Sequence, residues 1–362
     1  MKKAALIVSI VFLVISCRKD PVTETYNPTP YTINYPSNLA KYLTPMEIPE
    51  DNPMTVEGVD LGRKLFYEEL LSGDNTMSCA GCHDPSLSFS DTGAYSVGID
   101  GLFGARNAMP IINVGWMNEL FWDGRRASVE EQAYAPVTDP VEMHENWPNA
   151  VQDLQADSQY PALFNKAFGT SIIDSVLVAK AIAQFERTLI SGNSPMDKFM
   201  STNFAIGSSG WSSIPEFAAY QGFSIFMDES KGDCFHCHGD IYNPLWTDNL
   251  YHNNGLDATF TDKGLGKING NPADDGKFKT PTLRNLVFTA PYMHDGRFKT
   301  LDEVLNHYSE GLVNSPTVDP LMKKAEDGGV HLTSDELYFL KMFLISLSDS
   351  SFVNNLNFTD PD

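Results

Sequence analysis

Cys79-Ala80-Gly81-Cys82-His83 and Cys234-Phe235-His236-Cys237-His238 decide how this 362-residue chain reads. In C-x-x-C-H the two thiols can add to the vinyl groups of one haem, and the adjoining His stands ready to ligate its iron. Two C-x-x-C knuckles could instead share a structural zinc. Yet 151 residues separate Cys82 from Cys234, and zinc does not need a His after each pair. The motifs predict two covalently bound haem c groups, held by Cys79, Cys82 and His83 and by Cys234, Cys237 and His238.

The fifth cysteine has a different context. Lys2 and Lys3 precede an apolar run from Ala4 to Ile15, too short to span a bilayer, and Ser16-Cys17 follows. The pattern predicts an export signal over residues 1–16. Cys17 would be lipidated as the mature first residue, and an ordinary signal cleaved nearby is the alternative. Either reading places the protein outside the cytoplasm, in the periplasm or at the outer membrane or cell surface. Residues 17–45, rich in Pro, Thr, Asn and Tyr, read as a tether. Net charge is −22, and −24 once Lys2 and Lys3 leave with the signal. Such a surface excludes nucleic acid, repels anionic lipid and suits a basic redox partner. Any tie to a membrane is then the N-terminal lipid alone.

The rest of the chain is a duplication. Gly62-Arg63-Lys64-Leu65-Phe66 before the first motif pairs with Gly222-Phe223-Ser224-Ile225-Phe226 before the second. Trp122-Asp123-Gly124-Arg125 recurs as His294-Asp295-Gly296-Arg297, and Ser128-Val129-Glu130-Glu131 as Thr300-Leu301-Asp302-Glu303. Ser or Thr ahead of acids marks a helix start in each half. Each half closes on an apolar stripe: Val178, Ile182, Phe185 and Leu189, then Leu337, Leu340, Phe343 and Leu347 after the capping box Thr333-Ser334-Asp335-Glu336. Strand signals are few. The fold expected is mostly α, with two tandem cytochrome c-like domains, 46–205 and 206–362, each carrying one haem.

The repeat also serves as a ruler. Eleven residues past the repeated Arg stand Pro136 in the first half and Tyr308 in the second. A phenol oxygen can bind ferric iron, whereas proline has no donor atom. Tyr308 as a core aromatic and Pro136 as a helix terminator remain the alternatives, and His307 is the rival ligand.

From about Asp60 to Ser348 the chain resembles the bacterial di-haem cytochrome c peroxidases of the family that includes MauG. The likeness rests on Leu61-Gly62-Arg63, both haem motifs, Gly104-Ala105-Arg106-Asn107, Phe121-Trp122-Asp123-Gly124-Arg125, Val141-Glu142-Met143, and Thr282-Leu283-Arg284-Asn285 through Arg297. The resemblance implies that the first haem is peroxidatic and the second passes electrons to it. It implies that Trp122 lies between the haems, and that Gln132 and Glu142 stand over the peroxide site. It also implies a calcium ion held by Asn107 and the carbonyls of Thr289 and Pro291. Two departures stand out. Ile99 occupies the position of a distal His found in many of these peroxidases. Tyr308 stands where ordinary members have Met and MauG-like members have Tyr.

These assignments define an expected chemistry. Glu142 would shuttle a proton between the two peroxide oxygens while Gln132 holds the peroxide; a solvated carboxylate is the alternative for Glu142. Trp122 would carry electrons or simply pack the seam. Arg106 and Arg284 would pair with haem propionates, or form surface ion pairs. His294 would hydrogen-bond a propionate, and His144 would be an exposed loop residue. The leading function is reduction of hydrogen peroxide to water with electrons from a small cytochrome or similar donor. The alternatives are a MauG-like oxidase acting on a partner protein through a high-valent di-haem state, and a plain di-haem electron carrier. A homodimer is compatible with the sequence.

Overall fold

The computed structural model describes residues 26–201 and 214–362, so the expected leader, Cys17, most of the tether and the 205/206 domain boundary lie outside the described residues. The fold is mostly helical. The α-helices are α1 (Ser37–Tyr42), α2 (Val56–Phe66), α3 (Val129–Thr138), α4 (Trp147–Ala156), α5 (Tyr160–Phe168), α6 (Ser175–Glu186), α7 (Pro195–Ser201), α8 (Ile214–Phe226), α9 (Phe235–His238), α10 (Leu265–Asn269), α11 (Leu301–Glu310), α12 (Ser334–Ser346) and α13 (Ser350–Val353). The sheet is a two-stranded antiparallel pair, β1 (Tyr251–His252) against β2 (Phe278–Lys279). Among the described residues no helix is long and apolar enough to cross a membrane.

The helix starts follow the expected caps. Ser128 accepts from the Glu131 N–H to open α3, and Thr300 and Thr333 form full capping boxes with Glu303 and Glu336 at α11 and α12. Val178, Ile182 and Phe185 are buried on α6, as are Leu340 and Phe343 on α12. Leu189 and Leu347 are also fully buried but lie just past the ends of those helices.

In each half the helix before the haem motif crosses the closing helix at a glycine. A β-carbon on Gly62 would come within 1.9 Å of the Ala181 carbonyl oxygen. One on Gly222 would come equally close, 1.9 Å, to the Phe339 carbonyl oxygen. The same ruler sets Phe185 against Phe343, whose β-carbons stand 3.1 and 2.8 Å from those added atoms.

The two cores do not divide where the sequence boundary does. Met196 and Met200 of α7, assigned by sequence to the first domain, pack with Phe226, Trp246 and Phe343 in the second core. Conversely Phe352 and Phe358 join the first core beside Phe89. The tail is tied there by Arg63, whose Nε donates to the Thr359 carbonyl at 2.7 Å, and by Tyr67, whose hydroxyl donates to the Phe358 carbonyl at 2.6 Å. Burying two phenylalanines contributes about 1.5–3 kcal/mol each, enough to hold a short tail on a foreign core.

Arg284 ties α7 to the second half. It is fully buried, and its guanidinium donates to both carboxylate oxygens of Asp197 at 2.7 Å and, through Nε, to the Pro244 carbonyl at 2.6 Å. Three of its N–H groups thereby fasten α7 to the second half. Arg284→Ala would strand the buried Asp197 carboxylate. Unfolding in denaturant should show a loss of about 3–5 kcal/mol; a loss below 1 kcal/mol would contradict the structural role.

Candidate functional site

Both haem motifs fold as tight turns that present two thiols and one ring. His83 N–H bonds back to the Cys79 carbonyl at 3.1 Å, and His238 N–H to the Cys234 carbonyl at 3.0 Å. The four cysteines are unpaired. His83 Nδ1 lies 2.8 Å from the Phe89 carbonyl, and His238 Nδ1 lies 3.4 Å from that of Trp246. A ring that donates from Nδ1 keeps the Nε2 lone pair for a metal. Burial lowers the basicity of both rings, His238 to about 4, so each stays neutral, as a ligand must. Phe89 and Trp246 are anchored in their respective cores, so the carbonyls orienting each ring are rigid. The thiols, rings and burial fit a covalently attached haem at both motifs.

A cleft of about 1060 Å³ opens beside the first motif and reaches into the second half. From the first half, Cys79, Cys82, His83, Trp122, Gln132, Pro136 and Glu142 line it, as do Arg106 and Asn107. Asn254, Lys263, His294 and Arg297 close it from the second. The sequence-derived peroxide-site residues therefore meet in one cavity. Burial and the neighbouring Asp139 push the Glu142 carboxyl up to about 7, with Arg125 opposing. Glu142 also lines a second hollow of about 260 Å³ with Phe121, Arg125, Asp139 and Pro140. Arg125 is fixed there by Asp123 at 3.0 Å and by the Phe121 ring, 3.5 Å from its guanidinium carbon.

Ile99 takes no part in the cavity wall. Its N–H donates to the Glu142 carbonyl at 3.0 Å, so it holds the Glu142 loop in place. Pro136 does face the cavity. It stands eight residues past the α3 cap, as Tyr308 stands eight past the α11 cap.

Tyr308 lies in a separate cluster with the second motif. Its half-buried side chain feels the Cys234 and Cys237 thiols, and desolvation pushes the phenol up to about 12. Asn254 donates to its oxygen at 3.1 Å and also lines the first cleft. His307, its rival, has Nε2 3.3 Å from the Asn254 carbonyl and packs against Phe298 and Tyr308.

Trp122 is almost buried on the seam between the halves. Its indole N–H donates to the Asn107 carbonyl at 2.9 Å, and its own carbonyl accepts from Lys279 N–H at 2.8 Å. Asn107 N–H donates to the His294 carbonyl at 2.8 Å, and its side-chain amide donates to the Gly93 carbonyl at 3.1 Å. Thr289 is buried nearby in sequence to Pro291 and His294.

Arg106 lines the cleft but is bound to carboxylates of the chain itself. It reaches Asp123 and Asp262 at 2.6 Å each, the latter through two N–H groups. Within the chain Arg106 therefore belongs to an ion-pair network with Asp123 and Asp262. His294 stacks on Phe278 at 3.7 Å and 13°, and its side chain makes no hydrogen bond among the described residues. His144 is exposed and pairs with Asp100, as expected of a loop residue. Three contributors escaped sequence reasoning: Arg125, Asn254 and Glu186. The Asp-Gly-Arg of the repeated tetrapeptide was a signal for Arg125; Asn254 and Glu186 had none.

Comparison with known proteins agrees with this geometry. A family model described as di-haem cytochrome c peroxidase matches residues 56–204. The methylamine utilization protein MauG of Methylophilus methylotrophus is 32% identical over 82% of this chain and 86% of its own. A cytochrome-c peroxidase of Pseudomonas sp. is 31% identical over 85% of each. Among solved structures, a MauG-like protein associated with microbial copper homeostasis superposes with a TM-score of 0.79 at 31% identity, covering 91% of this chain and 99% of that one. The chain belongs to the di-haem cytochrome c peroxidase family, a family of oxidoreductases.

Proposed function

We propose that the protein reduces hydrogen peroxide to water at the first motif, with electrons from a small redox protein entering through the second. The observation that carries this reading is Glu142: a carboxyl pushed up to about 7, in the same cleft as His83 and Pro136. Each half would hold one haem c, through Cys79, Cys82 and His83 and through Cys234, Cys237, His238 and Tyr308. The bound haem supplies the redox-active iron at which a peroxide is cleaved.

The chain supplies the rest. A carboxylate oxygen of Glu142 accepts a proton from one peroxide oxygen and returns it to the other, and its side facing the second hollow exchanges that proton with solvent. Gln132 orients the peroxide by hydrogen bonding. Trp122, an oxidisable aromatic bonded to both halves, provides the route for electrons across the seam. Asn107, with the Thr289 and Pro291 carbonyls, would hold a calcium ion that keeps the seam rigid. The protein would be exported and anchored by lipid on Cys17, and Cys17→Ala should release it from membranes.

A second reading has its own support. Tyr308 beside the second motif and a cleft shared by both halves suit oxidation of a partner protein, as MauG-like members carry Tyr at that position. A plain electron carrier has no use for a carboxyl raised to about 7 in a cleft beside its haem motif.

Glu142→Gln should slow peroxide turnover with an artificial donor about 10²–10⁴-fold. Because Glu142 acts as its carboxylate, wild-type kcat/KM should rise with pH through about 7 and the variant should lose that limb. Unchanged turnover would remove Glu142 from the mechanism.

Electron paramagnetic resonance of the oxidised protein should show one high-spin and one low-spin iron, with only the low-spin signal altered in Tyr308→Met. Two low-spin signals in the wild type would mean that another group caps the first iron and that the Pro136 position does not leave it open.

A further inference from the structure

Glu186 has no role in the proposed function, yet it is 3% exposed and lines the first cleft from the end of α6. Its carboxyl makes no hydrogen bond or ion pair among the described residues. Arg187, the adjacent cation, does not neutralise it, because both Arg187 terminal nitrogens are held by the two Glu130 oxygens at 2.8 and 2.9 Å. The fold does not require an acid at this position. The helix crossing that aligns Gly62 with Gly222 and Phe185 with Phe343 places Glu186 opposite Leu344, a buried member of the second core. One copy of the repeat has kept leucine there, whereas the copy bearing the peroxide site has a buried carboxyl without a counter-ion. Such a group costs stability, and an isosteric apolar side chain would not.

We propose that Glu186 is the proton partner of the first haem's electron: it binds one proton when that haem gains one electron and releases it when the electron leaves. The inference rests on haem being attached at Cys79 and Cys82. The groups bearing on Glu186 are Arg187, which favours its ionised form, Glu130, which opposes it, and the Cys79 turn, which it faces. Glu142 lines the same cleft from the loop after α3. With burial dominant, the Glu186 carboxyl is pushed up to about 8. A positive charge on oxidised haem iron lowers that affinity, and adding an electron restores it. Proton uptake then keeps the cleft's net charge constant, which matters in a site where charge is poorly solvated. Leu344 cannot do this for the second haem. The electron comes from the redox protein donor or, in a titration, from dithionite with mediators; the proton comes from solvent.

The experiment uses the full chain with haem content first verified by mass, since absence of haem on Cys79 and Cys82 would overturn the proposed function itself. Optical redox titrations of each haem are then run between about pH 6 and 9, bracketing the Glu186 value. Both proteins carry Glu142→Gln, which removes the other cleft carboxyl raised to about 7 or above. The first haem's potential should fall as pH rises in the protein retaining Glu186, and should be flat once Glu186→Gln is added, with the second haem's behaviour identical in both. Reduced-minus-oxidised infrared spectra of the wild type should show a protonated carboxyl band that Glu186→Gln abolishes and Glu142→Gln keeps. Glu186→Leu, copying the repeat, should fold and behave as Glu186→Gln does. A haem-loaded Glu186→Gln protein that keeps the slope and the band overturns this inference alone. If neither substituted protein folds, absence of the carboxyl band from the wild type overturns it.

Discussion

Backbone contact between two helices, permitted by a missing β-carbon, is the constraint on which this structure rests. Gly62 lets α2 lie directly on the α6 backbone at Ala181, and Gly222 lets α8 lie on α12 at Phe339. Side chains at either position would separate the helices and open the cores beneath them. Each haem motif follows its glycine helix in sequence, after residues 67–78 in the first half and 227–233 in the second, where Cys234 N–H bonds directly to the Phe226 carbonyl at the helix end. The helix crossing thus sets where the thiols and the ligand His emerge. Because the crossing recurs with the same partners, it also supplies a frame in which any difference between the halves stands out.

Local chemistry was legible in the sequence where the partners lie within a few residues of each other. The C-x-x-C-H turns, the Ser128, Thr300 and Thr333 caps and the stripes of α6 and α12 all close over short spans, and the structure repeats them. Residues meeting across the chain were not legible. Arg284 finds Asp197, 87 positions away, and Arg106 finds Asp262, 156 positions away. An arginine near a haem motif reads as a propionate partner, and only tertiary structure shows the carboxylates it meets within the chain. The exchange of α7 and the C-terminal tail between cores escaped for the same reason: amphipathic pattern says that Met196 and Phe352 are buried, not against which half. Glu186 escaped because Phe185-Glu186-Arg187-Thr188 reads as a helix end fraying into solvent.

Charge in the cleft follows a simple rule. Most ionised groups there are paired: Arg106 with Asp123 and Asp262, Arg297 with Asp257 and Asp295, Lys263 with Asp275. Glu142 and Glu186 are left without an ion pair, and both are raised toward neutrality, to about 7 and about 8. Paired charges stay fixed over the physiological range and shape the field, whereas unpaired buried carboxyls can change charge within it. Under the proposed function Glu142, which also borders the second hollow, would carry the peroxide's proton, while the enclosed Glu186 would answer the first haem's electron.

Duplication gives a chain two equivalent sites, and a peroxidase needs them to differ. At the position eight residues past the cap of α3 or α11, one half has a proline without a donor atom and the other a half-buried phenol beside its haem cysteines. At the position after the packed phenylalanine of α6 or α12, one half has a carboxyl facing the cleft and the other a leucine in its core. Both substitutions leave the helix crossing, the caps and the His–carbonyl bond intact, so they alter each site without disturbing the fold that presents it. Under the proposed ligation, the first would leave a coordination position free in one half only. The second places a titratable group in that same half. An open iron position would gain from a nearby group that can offset its changes of charge, and one closed by Tyr308 would have less use for it. The two departures from the repeat are thus consistent with one division of labour, with substrate chemistry in the first half and electron supply in the second.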